Sequence, residues 1–328
     1  MWDGMLKAFI FPGQGSQSVG MGKALAESFP QARAILAEVD EALGQNLSGL
    51  MFAGPLEELT LTANAQPALM AASLAAIRVL EAEAGLDLSR DAAFVAGHSL
   101  GEYSALAAAG SLSVAAAAKL LRVRGKAMQD AAPQGAGAMA ALLGIDYEAG
   151  LAIARQASED AGGEVCQVAN DNGGGQIVVS GTQAAVQRAI EIAKGKGARR
   201  SILLPVSAPF HCALMQPAAE AMAEALASVP IKPPCVPLVA NVIAAPVTDA
   251  EEIRRLLVDQ VTGAVRWRES VAFMASRGVS LFVECGAGKV LSGLIRRISE
   301  TAVGLPVGTP ADIALYKDRD KGQASNAA

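Results

Sequence analysis

Residues 92–101 have the sequence AAFVAGHSLG, a short apolar run that ends in a turn bounded by two glycines. An apolar run of this length predicts a buried strand over Ala92–Gly97, and the alanine-rich stretch after it predicts a helix. The turn fits G-x-S-x-G, which is typical of a nucleophilic serine placed on a sharp strand-to-helix turn. Side chains at the two glycine positions would collide with such a turn. We therefore expect an α/β fold in which Ser99 stands exposed between a strand and a helix.

The rest of the chain extends this pattern to a discontinuous domain. Strands and longer helices alternate over residues 1–134 and 208–310, which predicts an α/β-hydrolase-like catalytic domain with a mostly parallel sheet. Between them, residues 135–207 follow the order βαββαβ, so we expect a ferredoxin-like subdomain. Residues 311–328 are mostly polar and are expected to form a disordered tail.

Composition excludes several classes of protein. The 328 residues are 52% hydrophobic and 18% charged, which allows a large core without disulfides. A net charge of −5 argues against nucleic-acid binding, which needs a basic surface. With only two histidines and four scattered cysteines, no metal site is expected. No apolar run reaches the roughly 18 residues that span a bilayer, and no signal-peptide pattern is present, so we expect a cytoplasmic protein without membrane contact.

A nucleophilic serine needs a base, and the two histidines of the chain are the candidates. His98 adjoins Ser99 in a tight turn, so its side chain is expected to project away from the serine oxygen. His211, in the proline-flanked loop PVSAPFHCALMQP, is then the predicted base, provided that Ser99 is a nucleophile rather than an ordinary turn serine. No acidic residue is clearly placed to complete a triad, so a backbone carbonyl and a side-chain amide are both open as the group that orients the histidine.

One arginine is out of place on the helix predicted after Ser113. Arg124 falls on a stripe that is otherwise apolar and consists of Ala117, Leu121, Met128 and Ala131. An inward-pointing arginine is costly unless it is paired. Its planar guanidinium is well matched to a carboxylate, with which it can form two parallel hydrogen bonds. The sequence leaves two interpretations open: a structural ion pair with a protein acid, or a clamp for the carboxylate of a substrate.

Six segments of the chain occur in an order typical of one enzyme family. They are FPGQGSQ (11–17), AGHSLGEYSALAAAG (96–110), RGKAMQ (124–129), ANDNGGGQIVVSG (169–181), HCALM (211–215) and GAGKVL (286–291). Together they strongly resemble the bacterial malonyl-CoA:acyl carrier protein transacylase family of type II fatty acid synthesis. The resemblance extends from about Lys7 to Ile298, nearly the whole chain.

The resemblance implies roles for three side chains. The serine of the family's GHSLG motif falls on Ser99, the nucleophile, and the catalytic histidine falls on His211. The arginine that binds the malonyl carboxylate falls on Arg124. The family uses a Ser–His dyad without a carboxylate, which agrees with the absence of a clearly placed acid in this sequence.

The resemblance also implies roles for three backbone groups. The oxyanion hole of the family is formed by backbone N–H groups, which fall on Gln14 and Leu100. The glutamine whose backbone carbonyl orients the histidine falls on Gln260. The stretch Val261–Ala264 departs from the family pattern, because it lacks the Tyr-Asn-Pro that often precedes the tryptophan, here Trp267.

The implied function is an acyltransferase that moves malonyl from malonyl-CoA to the phosphopantetheine thiol of acyl carrier protein, through a malonyl-serine ester and with ping-pong kinetics. No cofactor is expected. Carrier proteins are acidic, so the resemblance also implies a basic docking surface. The candidate residues for this surface are Lys194, Lys196, Arg199, Arg200, Lys289, Arg296 and Arg297.

Other functions remain as alternatives at this stage. A serine esterase or thioesterase would use the same dyad with water as the acceptor. An acyltransferase of a polyketide pathway would share the chemistry, and a non-catalytic module would bind the carrier protein without forming an acyl-enzyme. Nucleotide binding by GQGSQS is disfavoured, because that motif needs glycine or alanine where Ser18 stands.

Overall fold

The structure is a computed structural model that describes residues 5–133 and 135–321. It has the predicted mixed α/β class, with one mostly parallel sheet and a separate antiparallel sheet. Within the described residues the chain forms ten strands. They are β1 (Leu6–Phe11), β2 (Phe94–Gly97), β3 (Gly137–Leu143), β4 (Cys166–Asp171), β5 (Gln176–Thr182), β6 (Arg200–Leu203), β7 (Leu238–Ala240), β8 (Ala245–Val247), β9 (Val279–Cys285) and β10 (Val303–Val307).

Helices surround both sheets. Over the same described ranges they are α1 (Lys23–Ser28), α2 (Pro30–Leu43), α3 (Leu47–Ala53), α4 (Leu56–Thr60), α5 (Thr62–Ala84), α6 (Leu88–Asp91), α7 (Gly101–Ala108), α8 (Val114–Asp130), α9 (Tyr147–Asp160), α10 (Gln183–Gly195), α11 (Gln216–Ala227), α12 (Ala250–Thr262), α13 (Trp267–Ser276), α14 (Val290–Ile298) and α15 (Pro310–Lys321). Ser113 caps α8 by accepting a hydrogen bond from the Ala116 N–H, as its position before the helix predicts. None of the helices in the described part of the chain is long and apolar enough to cross a membrane, and the cytoplasmic location stays a prediction.

The large sheet has the strand order β10-β9-β1-β2-β7-β8 and is parallel except for the β7–β8 pair. Its two central strands, β1 and β2, are apolar and almost wholly buried, as expected for strands covered on both faces. Phe11 pairs with Gly97 at their carboxyl ends. The loop after β1 and the turn after β2 therefore leave the sheet side by side, which places Gln14 close to Ser99.

The small sheet lies between Gly137 and Leu203 in the chain. Its elements follow the order β3-α9-β4-β5-α10-β6, and its strands are arranged β4-β5-β3-β6 with antiparallel pairing throughout. This is the strand order of a ferredoxin-like unit. Helices α9 and α10 cover it with their own apolar cluster, which includes Ile153, Val179 and Val186. The domain boundaries at 134/135 and 207/208 stay a prediction.

The predicted disordered tail is wrong for residues 311–321, because they lie in helix α15. Ile313 and Tyr316 are three residues apart and are 2% and 1% exposed, so one face of this polar helix is buried against the main core. Asp312 supports the helix start, since its Oδ2 accepts hydrogen bonds from the Thr309 N–H (2.9 Å) and hydroxyl (2.7 Å). Because residues 311–328 are mostly polar, the spacing of Ile313 and Tyr316 was not recognised as the buried face of a helix. Residues 322–328 lie outside the described residues.

Candidate active site

Ser99 stands on a tight turn between β2 and α7, with φ at +53°. The turn has no room for side chains on either side. A Cβ added to Gly97 would lie 1.8 Å from the carbonyl carbon of Gly101, and one added to Gly101 would lie 2.3 Å from the Phe11 oxygen. The two glycines are therefore required by backbone contacts, and the strained turn exposes the serine side chain at the carboxyl edge of the sheet.

The imidazole of His211 lies directly against the serine. Its Nε2 is 2.8 Å from Ser99 Oγ, although the two residues are 112 positions apart. On the other side of the ring, Nδ1 is 2.9 Å from the carbonyl oxygen of Gln260 and 3.1 Å from that of Gly263. Carbonyl oxygens only accept, so Nδ1 carries the ring proton. Nε2 is then free to accept the hydroxyl proton of Ser99.

The surroundings keep this histidine neutral. Burial, followed by the charge of nearby Arg124, lowers the pKa of His211 to about 3, while the hydrogen bonds to the two carbonyls oppose the shift. The imidazole is 4% exposed. A neutral imidazole is the form that can accept a proton at physiological pH.

The other histidine faces away from the serine, as expected from its place in the turn. His98 Nε2 is 2.9 Å from Asn172 Oδ1, and its ring lies 5.7 Å from the ring of Trp267. Burial lowers the pKa of His98, against the hydrogen bond with Asn172. Its contacts are with the wall of the site rather than with Ser99.

Arg124 lies at the bottom of the same site and is 1% exposed. Its Nη2 donates to Ser99 Oγ (3.1 Å) and to Gln260 Oε1 (2.9 Å), and its Nη1 donates to Gln66 Oε1 (2.9 Å). The guanidinium carbon lies 5.8 Å from the Tyr103 ring centroid. All three hydrogen bonds go to neutral oxygens, so an ion pair with a protein acid, one interpretation of this residue, is not seen among the described residues.

A cavity of about 400 Å³ opens above these groups. Its walls come from both sheets, because the loops after β1 and β2 face strands β3 and β4 and the segment after β6. Gln14 and Leu100 both line it, as do Ser99, Arg124, His211, Gln66, Met128, Met139, Asn170, Leu204, Val206 and Phe210. The mixture of apolar walls with a few convergent polar groups is typical of a small-molecule site.

The residues predicted for the oxyanion hole lie at the edge of this cavity. The side chain of Gln14 is held by a hydrogen bond to Thr62 Oγ1 (3.3 Å). Leu100 is 1% exposed and immediately precedes α7, so its N–H lies at the start of that helix. Within the described residues, neither backbone N–H has a hydrogen-bond acceptor in the protein. Their role as an oxyanion hole stays a prediction.

Comparison with known proteins identifies the family. The family model "Acyl transferase domain" matches residues 8–307 of the chain. The chain belongs to the acyl transferase family. A malonyl CoA-acyl carrier protein transacylase of Bacillus subtilis (strain 168) is 46% identical over 320 residues, which are 98% of this chain and 99% of the relative.

Solved structures agree with this assignment. The acyl-carrier-protein-S-malonyltransferase of Bartonella henselae has 54% identity and a TM-score of 0.93, over 97% of this chain and 100% of that one. A malonyl-transacylase solved in complex with a type II PKS acyl-carrier protein has 42% identity and a TM-score of 0.91, over 96% and 99% of the two chains. The prediction that this acyl transferase belongs to the malonyl-CoA:acyl carrier protein transacylases is confirmed.

The Val261–Ala264 departure from the family pattern leaves the histidine contact in place. The Gln260 carbonyl still accepts from His211 Nδ1 at 2.9 Å, and Gly263, within the departing stretch, supplies a second carbonyl at 3.1 Å. The geometry thus agrees with orientation of the base by backbone carbonyls in this acyl transferase.

Three polar residues of this acyl transferase site were not predicted from the sequence: Gln66, Glu102 and Asn241. All three are buried, at 1%, 1% and 0% exposure. Glu102 is the one charged residue of α7 (Gly101–Ala108), and every residue of this helix is buried. Burial raises the pKa of Glu102 to about 8, while hydrogen bonds from Asn241 and Gln260 and the charge of Arg124 oppose the rise.

Proposed function

We propose that the chain transfers malonyl from malonyl-CoA to acyl carrier protein through an ester on Ser99. The observation that carries this proposal is the convergence of three groups on one cavity. Ser99 Oγ lies 2.8 Å from His211 Nε2 and 3.1 Å from Arg124 Nη2. A nucleophile, a neutral base and a buried cation at these distances suit an acyl group that carries a carboxylate.

In the first half-reaction Ser99 attacks the malonyl thioester. His211 Nε2 takes the hydroxyl proton as the new C–O bond forms, and the tetrahedral oxyanion is stabilised by the N–H groups of Gln14 and Leu100. Each such donor contributes roughly 2.7–4 kcal/mol in the transition state. The C–S bond then breaks, and the coenzyme A thiolate takes the proton from His211. A malonyl-serine ester and free coenzyme A result.

Arg124 selects the acyl group in this scheme. Its two terminal nitrogens point into the site, and the bond from Nη2 to Ser99 Oγ is the one that a substrate carboxylate replaces. A guanidinium and a carboxylate that meet out of water form short, charge-assisted hydrogen bonds. Acetyl groups lack this interaction, so the buried cation gains no hydrogen-bonded carboxylate from them.

In the second half-reaction the phosphopantetheine thiol of the carrier protein attacks the ester carbonyl. His211 takes the thiol proton, the same N–H groups bind the oxyanion, and the ester C–O bond breaks. The proton on His211 returns to Ser99 Oγ. The products are malonyl-carrier protein and free enzyme. Similarity to a malonyl-transacylase solved with an acyl-carrier protein supports a carrier protein as the acceptor.

We place the carrier-protein docking surface beside the joint between the two sheets. Of the basic residues predicted for docking, Arg199 and Arg297 line one cavity of about 430 Å³, together with Gly174 and Gly175. Arg199 precedes β6 of the small sheet and Arg297 lies on α14 of the large domain. Two cations from both parts of the chain around one cavity suit an acidic partner with a phosphate group.

The experiment that tests the proposed reaction is intact-protein mass spectrometry after incubation with malonyl-CoA alone. The wild-type chain is expected to gain one malonyl group, and the Ser99→Ala variant is expected to gain none. Addition of carrier protein should discharge the adduct onto the carrier. An adduct that persists in Ser99→Ala refutes the nucleophile, and rapid loss of malonyl to water without carrier protein would instead indicate a thioesterase.

A further inference from the structure

Beneath the nucleophile turn lies a carboxyl group that the proposed reaction does not use. Glu102 is in the first turn of α7 and is 1% exposed. Its Oε1 accepts a hydrogen bond from the backbone N–H of Asn241 (2.6 Å), and its Oε2 accepts one from the side-chain amide of Gln260. Both partners belong to segments that are far from α7 in sequence. The carboxyl group therefore ties helix α7 to the segments after β7 and in α12.

The side chain of Gln260 links this carboxyl group to the reacting groups. Its Oε1 accepts from Arg124 Nη2 at 2.9 Å, and its Nε2 donates to the main-chain oxygen of Ser99 at 3.0 Å. These partners determine the orientation of the amide, because a guanidinium only donates and a carbonyl only accepts. With this orientation, Nε2 faces Glu102. One amide thus contacts the carboxyl group, the arginine and the nucleophile turn.

Asn241 holds the same turn from another side. Its Oδ1 accepts from the Ser99 N–H at 2.8 Å, and its Nδ2 donates to the Gly97 carbonyl at 2.7 Å. Because the backbone N–H of Asn241 donates to Glu102, the carboxyl group anchors this residue as well. The turn is therefore held at the residue before His98 and at Ser99 itself.

This network stabilises a strained backbone conformation at Ser99. Ser99 adopts a φ of +53°, which an L-residue keeps only where its surroundings determine it. Without Glu102 the buried backbone N–H of Asn241 would lose its acceptor, and the Gln260 amide would keep only the Ser99 carbonyl and Asn241 Oδ1. An ionised carboxylate accepts at both oxygens, which a neutral amide of the same shape cannot do, and the hydrogen bonds from Asn241 and Gln260 and the charge of Arg124 favour this ionised form against burial.

We infer that Glu102 is a positioning residue that holds the Ser99 turn and the Arg124 guanidinium in place by accepting hydrogen bonds from Asn241 and Gln260. The inference deepens the proposed reaction and rests on the roles assigned there to Ser99 and Arg124. Glu102 does not contact the substrate in this scheme and acts only through its two partners.

The test compares acylation of Ser99 in Glu102→Gln with wild type. The glutamine keeps the shape of the side chain but sets an NH₂ donor against an N–H donor. We expect the single-turnover rate of malonyl-enzyme formation to fall by about tenfold or more, and the preference for malonyl over acetyl to fall with it. Glu102→Asp, which keeps both acceptor oxygens, should retain more activity than Glu102→Gln. A wild-type rate and preference in Glu102→Gln overturn the inference.

A double-mutant cycle separates positioning from general damage. Gln260→Ala removes the connecting amide but keeps the main-chain carbonyl that contacts His211. In this background, Glu102→Gln should lower the acylation rate by less than about threefold, since coupled residues are not additive. Losses that multiply fully overturn the part of the inference that runs through Gln260, since Glu102 would then act only through Asn241. If circular dichroism shows that Glu102→Gln does not fold, the test uses Gln260→Ala alone. A wild-type acylation rate and a wild-type malonyl preference in Gln260→Ala would refute the link from Glu102 through Gln260 to Ser99 and Arg124.

The experimental result that overturns this inference differs from the result that overturns the proposed reaction. If the wild-type chain gives a malonyl adduct that Ser99→Ala lacks, while Glu102→Gln behaves as wild type, only the inference on Glu102 is wrong. If Ser99→Ala retains the adduct, the reaction itself is wrong.

Discussion

At the scale of single residues, the site keeps a neutral base next to a buried cation. His211 loses affinity for a proton because it is buried and because the Arg124 guanidinium is close, and both effects lower its pKa, to about 3. The guanidinium keeps its charge, since its ordinary pKa is far above neutral pH. The same closeness that positions Arg124 for an acyl carboxylate thus keeps His211 in its unprotonated form.

The low pKa of His211 predicts how the rate of malonyl-enzyme formation depends on pH. The base works in its unprotonated form, and a pKa of about 3 leaves it unprotonated well below neutrality. We expect kcat/KM for malonyl-enzyme formation to stay flat from about pH 7 down to about pH 5, whereas an exposed histidine would give a decline near its ordinary pKa of about 6.5. Stopped-flow acylation over this range, with stability checked at each pH, measures it. A decline with a midpoint near that ordinary value contradicts the prediction.

A second prediction concerns the carboxylate clamp. Arg124→Ala removes up to two charge-assisted hydrogen bonds to malonyl, each contributing about 1.5–3 kcal/mol, so kcat/KM for malonyl-CoA should fall by about 100-fold or more. With acetyl-CoA the loss should be less than about tenfold. The matched control is Arg122→Ala on the same helix, because Arg122 donates to Asn64 Oδ1 (3.0 Å) rather than to the site. Equal losses for both acyl groups would remove the clamp from the mechanism.

At the scale of elements, close backbone packing limits which residues the β2-turn-α7 unit can contain. Gly97 and Gly101 touch each other and the end of β1, so neither position can take a side chain without moving a strand. The serine between them is half-buried, and the close backbone on both sides leaves no room for a Cβ at either glycine. The strand, the turn and the helix therefore work as one element.

A substitution in this element should be costly. Gly97→Ala places a Cβ 1.8 Å from backbone, so we expect the free energy of unfolding to fall by about 3 kcal/mol or more, together with loss of acylation. Gly293→Ala is the control, because Gly293 lies within α14 with nothing within 4 Å of its added Cβ. In a helix this change should stabilise by about 0.5–1 kcal/mol. Urea unfolding measures both, and equal stability of the two variants would contradict the packing argument.

At the scale of the whole molecule, the site exists only where the two sheets meet. The large sheet supplies the turn with Ser99, and the walls opposite come from β3, β4 and the segment that leads out of β6. His211 follows that segment and so enters the site as the chain returns to the large domain. The proposed docking cavity around Arg199 and Arg297 lies on the same joint.

Charge reversal at this joint should weaken the second half-reaction. In the double variant Arg199→Glu, Arg297→Glu we expect the KM for carrier protein to rise about tenfold at low salt, and the difference from wild type to shrink as salt screens the charges. The variant Lys119→Glu changes an exposed cation of α8 that does not line the cavity and should leave this KM unchanged. Steady-state transfer to carrier protein at several salt concentrations measures both. Similar effects from the two variants would rule out this cavity as the docking surface.

Short-range chemistry made much of the fold and part of the site predictable from sequence. The turn around Ser99 follows from the sterics of two glycines, and the inward face of Arg124 follows from helical periodicity, since both act over a few residues. The βαββαβ order likewise follows from the spacing of apolar runs. The polar composition of residues 311–328 was misleading, because two apolar side chains at helical spacing suffice to bury one face of α15.

Contacts between distant segments were settled only by tertiary structure. Which groups orient His211, which oxygens surround Arg124 and what anchors the Ser99 turn all depend on pairs such as Glu102 and Gln260, 158 residues apart. Such pairs leave no periodic signal, because a buried polar side chain is satisfied by whatever the fold brings beside it. Local sterics place the nucleophile on its turn, and long-range packing surrounds it with a base, a cation and the carboxyl group beneath them.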